Sequence, residues 1–309
     1  MAILDGTLVS AEIEKQVRSE IGMIKEKTGK VPGLAVLIAG DNAASQIYVR
    51  TKDRLAASLG LNSIVVRLDK DVSQAELIAE IDKLNNDDSV DAVLIQLPLP
   101  DKFNAWDILD RLDPSKDVDR FHPVNQGMVL LNRTGIFPCT PFGILKIMNY
   151  YKLPIEGKKV AVVGRSFIVG KPIANMLTNL NATVTLCHSK TETIEEEIRE
   201  ADIVIAAIGK AGFVTADMVK DGAVLIDVGM NYLNKEEEVL EFCDKDQLEK
   251  FKKRGYAVTG DIHPNAFEKA SYYTPVPGGI GPMTGIMLMY NTLQLCKQRR
   301  KIGEAKNSI

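Results

Sequence analysis

Cysteine is scarce in this chain and never clustered: Cys139, Cys187, Cys243 and Cys296 lie far apart, with no Cys-x-x-Cys pair. That spacing argues against a structural zinc and a disulfide framework, and it fits a reducing cytosol. Long apolar runs are missing too, and none approaches the roughly 20 residues that span a bilayer. The opening residues, MAILDGTLVS, carry neither a basic leader nor a long apolar core, so no secretory signal is expected. Charge of one sign is nowhere concentrated. The formal net charge is -3, and Lys and Arg are not interleaved with aromatics, so neither nucleic acid nor a membrane surface is expected as a partner. The basic tail from Lys297 to Lys306 reads as a solvated end. Together these absences predict a soluble, cytoplasmic protein that holds no metal.

What is present is ordinary apolar and charged material, 45% hydrophobic and 26% charged over 309 residues, which is enough for two cores rather than one. In the first half, strand and helix patterns alternate. Ser10 reads as the N-cap of a helix with apolar positions at Ile13, Val17, Ile21 and Ile24. Residues 34–39 form an apolar run of the kind buried on both faces of a parallel sheet, followed by strand patterns at 63–68 and 90–95. Ser73 and Glu76 make a capping box for the helix through Leu84.

Between the first two strands lies the helix expected over 40–60, closed by Gly60, on which Tyr48, Lys52, Leu55 and Leu59 fall on one stripe. The leucines predict that this stripe is buried, which leaves two readings of Lys52. Either it snorkels to water, or it is a shielded amine fit to handle protons. In parallel sheets ligands bind beyond the carboxyl ends of the strands. The loop at 40–44, the Gln96-Leu97-Pro98-Leu99-Pro100 run and the segment from Pro114 to Asp119 gather there. An amide, a lysine and an aspartate are then placed to meet a polar heterocycle, although Gln96 also suits a loop cap, and Asp117 and Asp119 also suit turn chemistry.

The second half opens at Pro138-Cys139-Thr140-Pro141, with Thr140 a candidate helix cap. A strand at 160–163 runs into Gly164-Arg165-Ser166 and on to Gly170-Lys171-Pro172 before a helix bearing Ile173, Leu177 and Leu180. Strand, glycine turn and helix form the setting in which a helix N-terminus receives a pyrophosphate, though Ser166 stands where a second glycine is usual. The next strand, 183–187, ends in His188-Ser189-Lys190 with no acid to hold ribose hydroxyls, while Arg165, Ser189 and Lys190 can donate to a ribose phosphate. That donor set predicts NADP rather than NAD. Strands at 203–208 and 223–228 lead to Gly209 and to Gly229-Met230, residues 234–241 read as a charged exposed insertion, and 256–262 reads as the last strand. Three prolines and three glycines crowd residues 274–284, which predicts irregular backbone suited to the wall of a cleft. A closing helix from Gly285 shows Leu288, Thr292 and Leu295 on one face and is expected to return to the first domain.

The segments Tyr48-Val49-Arg50-Thr51-Lys52, Gln96 to Pro100, Lys116-Asp117-Val118-Asp119, Pro138 to Pro141, Gly164 to Pro172 and Thr274 to Thr284 occur here in one order. In that order, and above all in the last run, the chain resembles the bifunctional methylenetetrahydrofolate dehydrogenase/methenyltetrahydrofolate cyclohydrolase family over nearly its whole length. The resemblance implies an α/β protein of two domains: a folate-binding catalytic domain of 1–139 plus 285–309, and a Rossmann-like NADP-binding domain of 140–284. It implies a homodimer acting on one-carbon derivatives of tetrahydrofolate, with the active site in the interdomain cleft. By motif, Lys52 resembles the essential lysine, Gln96 its partner, Tyr48 the ring stacked on folate and Asp119 the pterin-binding aspartate. Pro277, Gly278 and Gly281 correspond to folate-loop contacts, while Gly164, Arg165, Ser166, Ser189, Met230, Thr284 and Thr140 match cofactor positions. Arg120 stands where the family usually has glycine, and Ala43 and Arg54 replace a usual proline and lysine. Rival readings are a monofunctional or NAD-preferring relative, a non-catalytic folate or nucleotide binder, and another two-domain dehydrogenase.

Overall fold

The computed structural model describes residues 1–302, so the basic tail beyond Ile302 lies outside the described residues. In chain order the elements begin β1 (Ala2–Ile3), α1 (Gly6–Thr28), β2 (Gly33–Ala39), α2 (Ala43–Leu59), β3 (Asn62–Leu68), α3 (Gln74–Asn86) and β4 (Ala92–Ile95). Three helices follow, α4 (Ala105–Leu109), α5 (Pro123–Leu130) and α6 (Cys139–Tyr150). The alternation resumes with β5 (Lys159–Val163), α7 (Gly170–Asn179), β6 (Thr183–Cys187), α8 (Ile194–Glu200), β7 (Ile203–Ala206) and β8 (Val224–Asp227). The remainder is β9 (Asn231–Leu233), α9 (Glu236–Phe242), α10 (Lys245–Arg254), β10 (Ala257–Thr259), β11 (Tyr272–Tyr273) and α11 (Ile280–Arg300). The chain divides into two compact units, one of Ala11–Cys139 with the stretch from Gly285, the other of Thr140–Thr284 with Met1–Ser10.

The first of these units holds a parallel sheet in the order β3-β2-β4. The central strand, β2, is buried at all seven positions, as its unbroken apolar run requires. Residues 116–118 extend the sheet beyond β4: Val93 N–H donates to Lys116 O at 2.7 Å and Val118 N–H to Val93 O at 3.3 Å. The Ser73–Glu76 capping box of α3 is present. From Ile286 to Cys296 every residue of α11 is buried, including Asn291, Thr292 and Gln294, so this helix forms the middle of a core rather than one of its faces.

The other unit holds a six-stranded sheet in the order β1-β11-β8-β7-β5-β6, parallel throughout. Its core joins Ala161, Val163, Val204, Ala206 and Leu225 of the strands to Ile198, Val219 and Ile262. A satellite cluster of Leu233, Val239 and Ala257 lies under the β9–β10 ribbon.

Several expectations need correction. The first helix starts at Gly6, not after Ser10, because the carboxylate of Asp5 accepts the N–H groups of Thr7 (2.8 Å) and Leu8 (3.0 Å) and so supplies the cap. On α2 the fully buried line is Ser45, Val49, Ala56 and Leu59, and the stripe through Tyr48, Lys52 and Leu55 is its half-buried flank. Thr140 lies inside α6 rather than capping it. The irregular run ends early, since α11 begins at Ile280 and accepts Pro282 in its first turn, where no intrahelical N–H is needed. Residues 257–259 join β9 in an antiparallel ribbon, and the last strands of the large sheet are β11 and then β1. The charged insertion is helical and buries Val239. Residues 1–10, expected with the first half, cluster with 140–284 because β1 pairs with β11.

Candidate functional site

In the unit built on β2, three connections converge at the carboxyl end of the small sheet. α2 follows β2 and is entered through Asn42, whose side chain accepts the Ser45 N–H. Gln96 is the first residue after β4, with its N–H bound to Leu37 O at 2.9 Å. Asp119 follows the segment that lengthens the sheet. The Lys52 ammonium donates to Gln96 Oε1 at 3.0 Å, and the Gln96 amide donates its own N–H to Leu97 O at 2.6 Å. Gln96 is thus an oriented acceptor, buried and fixed at both ends. Burial holds the Asp119 carboxyl above the ordinary carboxylate range, while the positive charge of Lys52 and a hydrogen bond with Cys139 pull it back. The structure therefore brings Lys52, Gln96 and Asp119 together, with Tyr48 one turn before Lys52 on α2 and half-buried.

Near Asp119 stand Cys139 and Asn291, to which sequence reasoning gave no role. The Cys139 thiol is buried, and desolvation together with the Asp119 charge pushes it well up. Asn291, on the buried helix α11, donates to Val118 O (3.1 Å), Phe137 O (2.8 Å) and Cys139 Sγ (3.4 Å), fixing the backbone just before Asp119. A lone asparagine within an apolar helix pattern was the available signal. Lys116 is fully buried, and its ammonium donates to Leu84 O and Asp87 O, both at 2.7 Å, which satisfies carbonyls at the end of α3. Burial lowers its pKa. Asp117 accepts from His122 N–H and Asn125 Nδ2, which is turn chemistry.

Arg120 is nearly buried and adopts φ 60°, the left-handed region that glycine occupies without strain. Its guanidinium donates to Pro114 O at 3.3 Å, and burial lowers its pKa against the pull of the Asp117 carboxylate.

In the unit built on the large sheet, the register ends at Val163↔Cys187, and Gly164 N–H donates to Cys187 O at 2.9 Å, so the turn from Gly164 and the residues His188 and Ser189 both begin at the same strand ends. Gly164 has φ 123°, and a Cβ there would lie 2.2 Å from Ala207 O; one on Gly170 would lie 1.9 Å from Gly164 O. Only glycine permits this approach of strand, turn and helix. Ser166, in place of a second glycine, uses its hydroxyl to accept the N–H groups of Val169 (3.1 Å) and Gly170 (3.4 Å). Arg165, Ser166, Ser189 and Lys190 are exposed, and no acid stands at the end of β6. The cradle and its donors fit a phosphorylated dinucleotide.

Other predicted positions in this unit are also placed. Thr140 and Thr284 share a hydroxyl–hydroxyl hydrogen bond of 2.9 Å. Pro277 is exposed and Gly278 has φ 109°, so a side chain is strained there. Gly281 lies in the first turn of α11, where a Cβ would be 3.6 Å from Met230 Cε. Asp227 and Asp261, both buried, accept backbone N–H groups at the ends of these loops. Burial, with the charge of Asp261, pushes Asp227 up to about 7 against the pull of its N–H donors. Sequence reasoning gave neither aspartate a role; the signal for Asp261 was its place after Gly260 at a strand end. Among the described residues no cluster of three or more His, Cys, Asp or Glu is placed to hold a metal ion, and no helix is long and apolar enough to cross a membrane.

Two family models match the chain: the catalytic domain of tetrahydrofolate dehydrogenase/cyclohydrolase over residues 4–119, and its NAD(P)-binding domain over 138–300. The bifunctional protein FolD of Koribacter versatilis is 46% identical over 300 residues, covering 96% of this chain and 97% of the relative. Among solved structures, the bifunctional FolD of Campylobacter jejuni superposes with TM-score 0.88 at 40% identity, covering 97% of this chain and 99% of the other. The Trypanosoma brucei methylenetetrahydrofolate dehydrogenase-cyclohydrolase, solved with NADP and an inhibitor, gives TM-score 0.88 at 34% identity with the same coverage.

Proposed function

Because this chain belongs to the tetrahydrofolate dehydrogenase/cyclohydrolase family, we propose that it performs both reactions for which the family is named. The first is NADP-dependent oxidation of 5,10-methylene-tetrahydrofolate, and the second is hydrolysis of the 5,10-methenyl product to 10-formyl-tetrahydrofolate. The observation that carries this reading is the Lys52–Gln96 hydrogen bond beside Asp119.

When bound, NADP supplies the hydride acceptor. Removing hydride from a carbon between two nitrogens leaves a stabilised cation and no proton to abstract, so the oxidation asks the protein for orientation rather than for acid or base. Gly164, Arg165, Ser166 and Ser189 would hold the dinucleotide's phosphates, and Met230, Thr140 and Thr284 its other end. Tyr48 would offer a ring face to the folate and Asp119 a carboxyl to the pterin edge, while Pro277, Gly278 and Gly281 are assigned folate contacts on their motif alone.

Hydrolysis has a different demand. Water adds to the methenyl carbon and loses a proton, leaving a neutral hydroxyl adduct; the bond from that carbon to N5 then breaks as N5 gains a proton and the hydroxyl loses its own to become the formyl carbonyl. A positioned proton-handling group serves both events, and Lys52, held by the Gln96 carbonyl, is the residue we assign to it. Lys52→Met is expected to lower hydrolysis by about 10²–10⁴-fold while folate binding stays measurable. Unchanged turnover in an absorbance assay of methenyl-tetrahydrofolate would remove Lys52 from the mechanism. Wild-type protein incubated with methylene-tetrahydrofolate and NADP tests the whole reading, and a higher kcat/KM with NAD would overturn the phosphate role of Arg165 and Ser189.

The finer parts of this reading are a homodimer and a cytoplasmic location. The four free thiols support a reducing compartment, and sedimentation of purified protein tests the dimer.

A further inference from the structure

Three loops beyond the ends of β7, β8 and β10 are drawn together by two buried carboxylates. Asp261 Oδ2 accepts the N–H groups of Ile208 (2.7 Å) and Gly209 (2.9 Å), while its Oδ1 accepts those of Lys210 (2.9 Å) and the Asn231 side chain (2.9 Å). Asp227 Oδ1 accepts Gly229 N–H (2.8 Å) and Asp261 N–H (2.9 Å), and its Oδ2 accepts Ile262 N–H (2.8 Å). The glycines beside them are spatially required: a Cβ on Gly229 would sit 2.4 Å from Asp261 Oδ1, and one on Gly260 would sit 1.9 Å from Asp227 Oδ2.

Three consecutive N–H groups turned toward one point form a nest of the kind that binds anions. Here the nest at Ile208–Lys210 is filled from within by Asp261. Met230 lies between two residues tied to these carboxylates, Gly229 and Asn231, and is itself 42% exposed.

The geometry points to Asp261 and Asp227 as positioning residues of the dehydrogenase step, an internal pair of hydrogen-bond acceptors that fixes the loops bearing Gly209 and Met230 so that the dinucleotide meets a preformed surface. This rests on the function proposed above. Neither residue needs to touch cofactor or folate; both act through the loops they hold.

The test uses the full chain carrying Asp261→Asn. An amide offers one acceptor oxygen in place of two, so at least part of the nest loses its partner. The KM for NADP is expected to rise by about ten-fold or more, the magnitude that follows from orphaning one buried donor. Cyclohydrolase kcat/KM, which needs no cofactor, is expected to stay within about two-fold. In hydrogen-exchange measurements without ligand, the amides of Ile208, Gly209 and Lys210 should lose protection. Unchanged KM for NADP, or equal loss of both activities, overturns the proposal, the second outcome marking a merely structural role. If Asp261→Asn does not fold, Asn231→Ala decides, since it removes one of the four donors and leaves both carboxylates. It should weaken NADP binding in calorimetry by several-fold, and unchanged affinity overturns the proposal. Wild-type protein without NADP-dependent oxidation would overturn the function instead, while calorimetry on the variants would still judge the clamp.

Discussion

At the scale of single residues, Asp119 illustrates how function and stability oppose one another. An unfolded aspartate titrates near pH 3.9, whereas burial raises Asp119 in the fold. Between those two values the native state binds more protons than the unfolded chain, so this group's contribution to stability is present below the unfolded value and is lost as pH rises through the folded one. Asp119→Asn should therefore gain stability relative to wild type as pH is raised from about 4 to 7. Urea midpoints at three pH values check this, and a constant difference between the proteins would refute it. The meeting of Lys52, Gln96 and Asp119 was legible in the sequence because the helix, loop and turn that carry them lie in connections after strand patterns, and connections after parallel strands share one edge. Their partners were not legible. Asn291 reaches Val118 O and Phe137 O across more than 150 residues of sequence, and no local pattern announces such a contact.

At the scale of elements, legibility followed local chemistry. The α3 capping box and the Gly60 stop of α2 are encoded within a few residues, and both stand where the spacing put them. Ser73→Ala should cost about 1 kcal/mol in chemical denaturation. The errors arose where two local signals competed or where tertiary pairing decided. Asp5 and Ser10 are both good caps, and the earlier one prevailed. Residues 257–259 carry strand pattern, but only pairing decides which sheet receives them. The glycine turn before α7 is a tighter constraint than its sequence suggests, because a Cβ on Gly170 would meet backbone, not a side chain that can turn aside. Gly170→Ala is expected to destabilise the protein by about 2–3 kcal/mol, and a thermal shift of less than a degree would contradict the close approach.

For the molecule as a whole, two α/β units were readable from the alternation of patterns and the length of the chain, and the family is shown by matches that span it. The course of the chain was harder to foresee. The first strand has only two residues, too short for any periodicity, yet Ala2 N–H donates to Ser271 O and Leu4 N–H to Tyr273 O, both at 2.8 Å. Nearby, Thr7 N–H donates to Gly278 O at 3.2 Å, and a Cβ on Gly6 would lie 1.7 Å from Gly279 O.

That pairing bears on how the protein can be cut. A recombinant fragment spanning 140–284 alone would leave the rim of its sheet bare at Tyr272 and Tyr273 and its proline-glycine loop unbraced. Grafting the leading decapeptide back through a flexible tether should restore solubility, as gel filtration of the two fragments would reveal. Equal behaviour of both would mean that those first ten residues are ornament rather than scaffold.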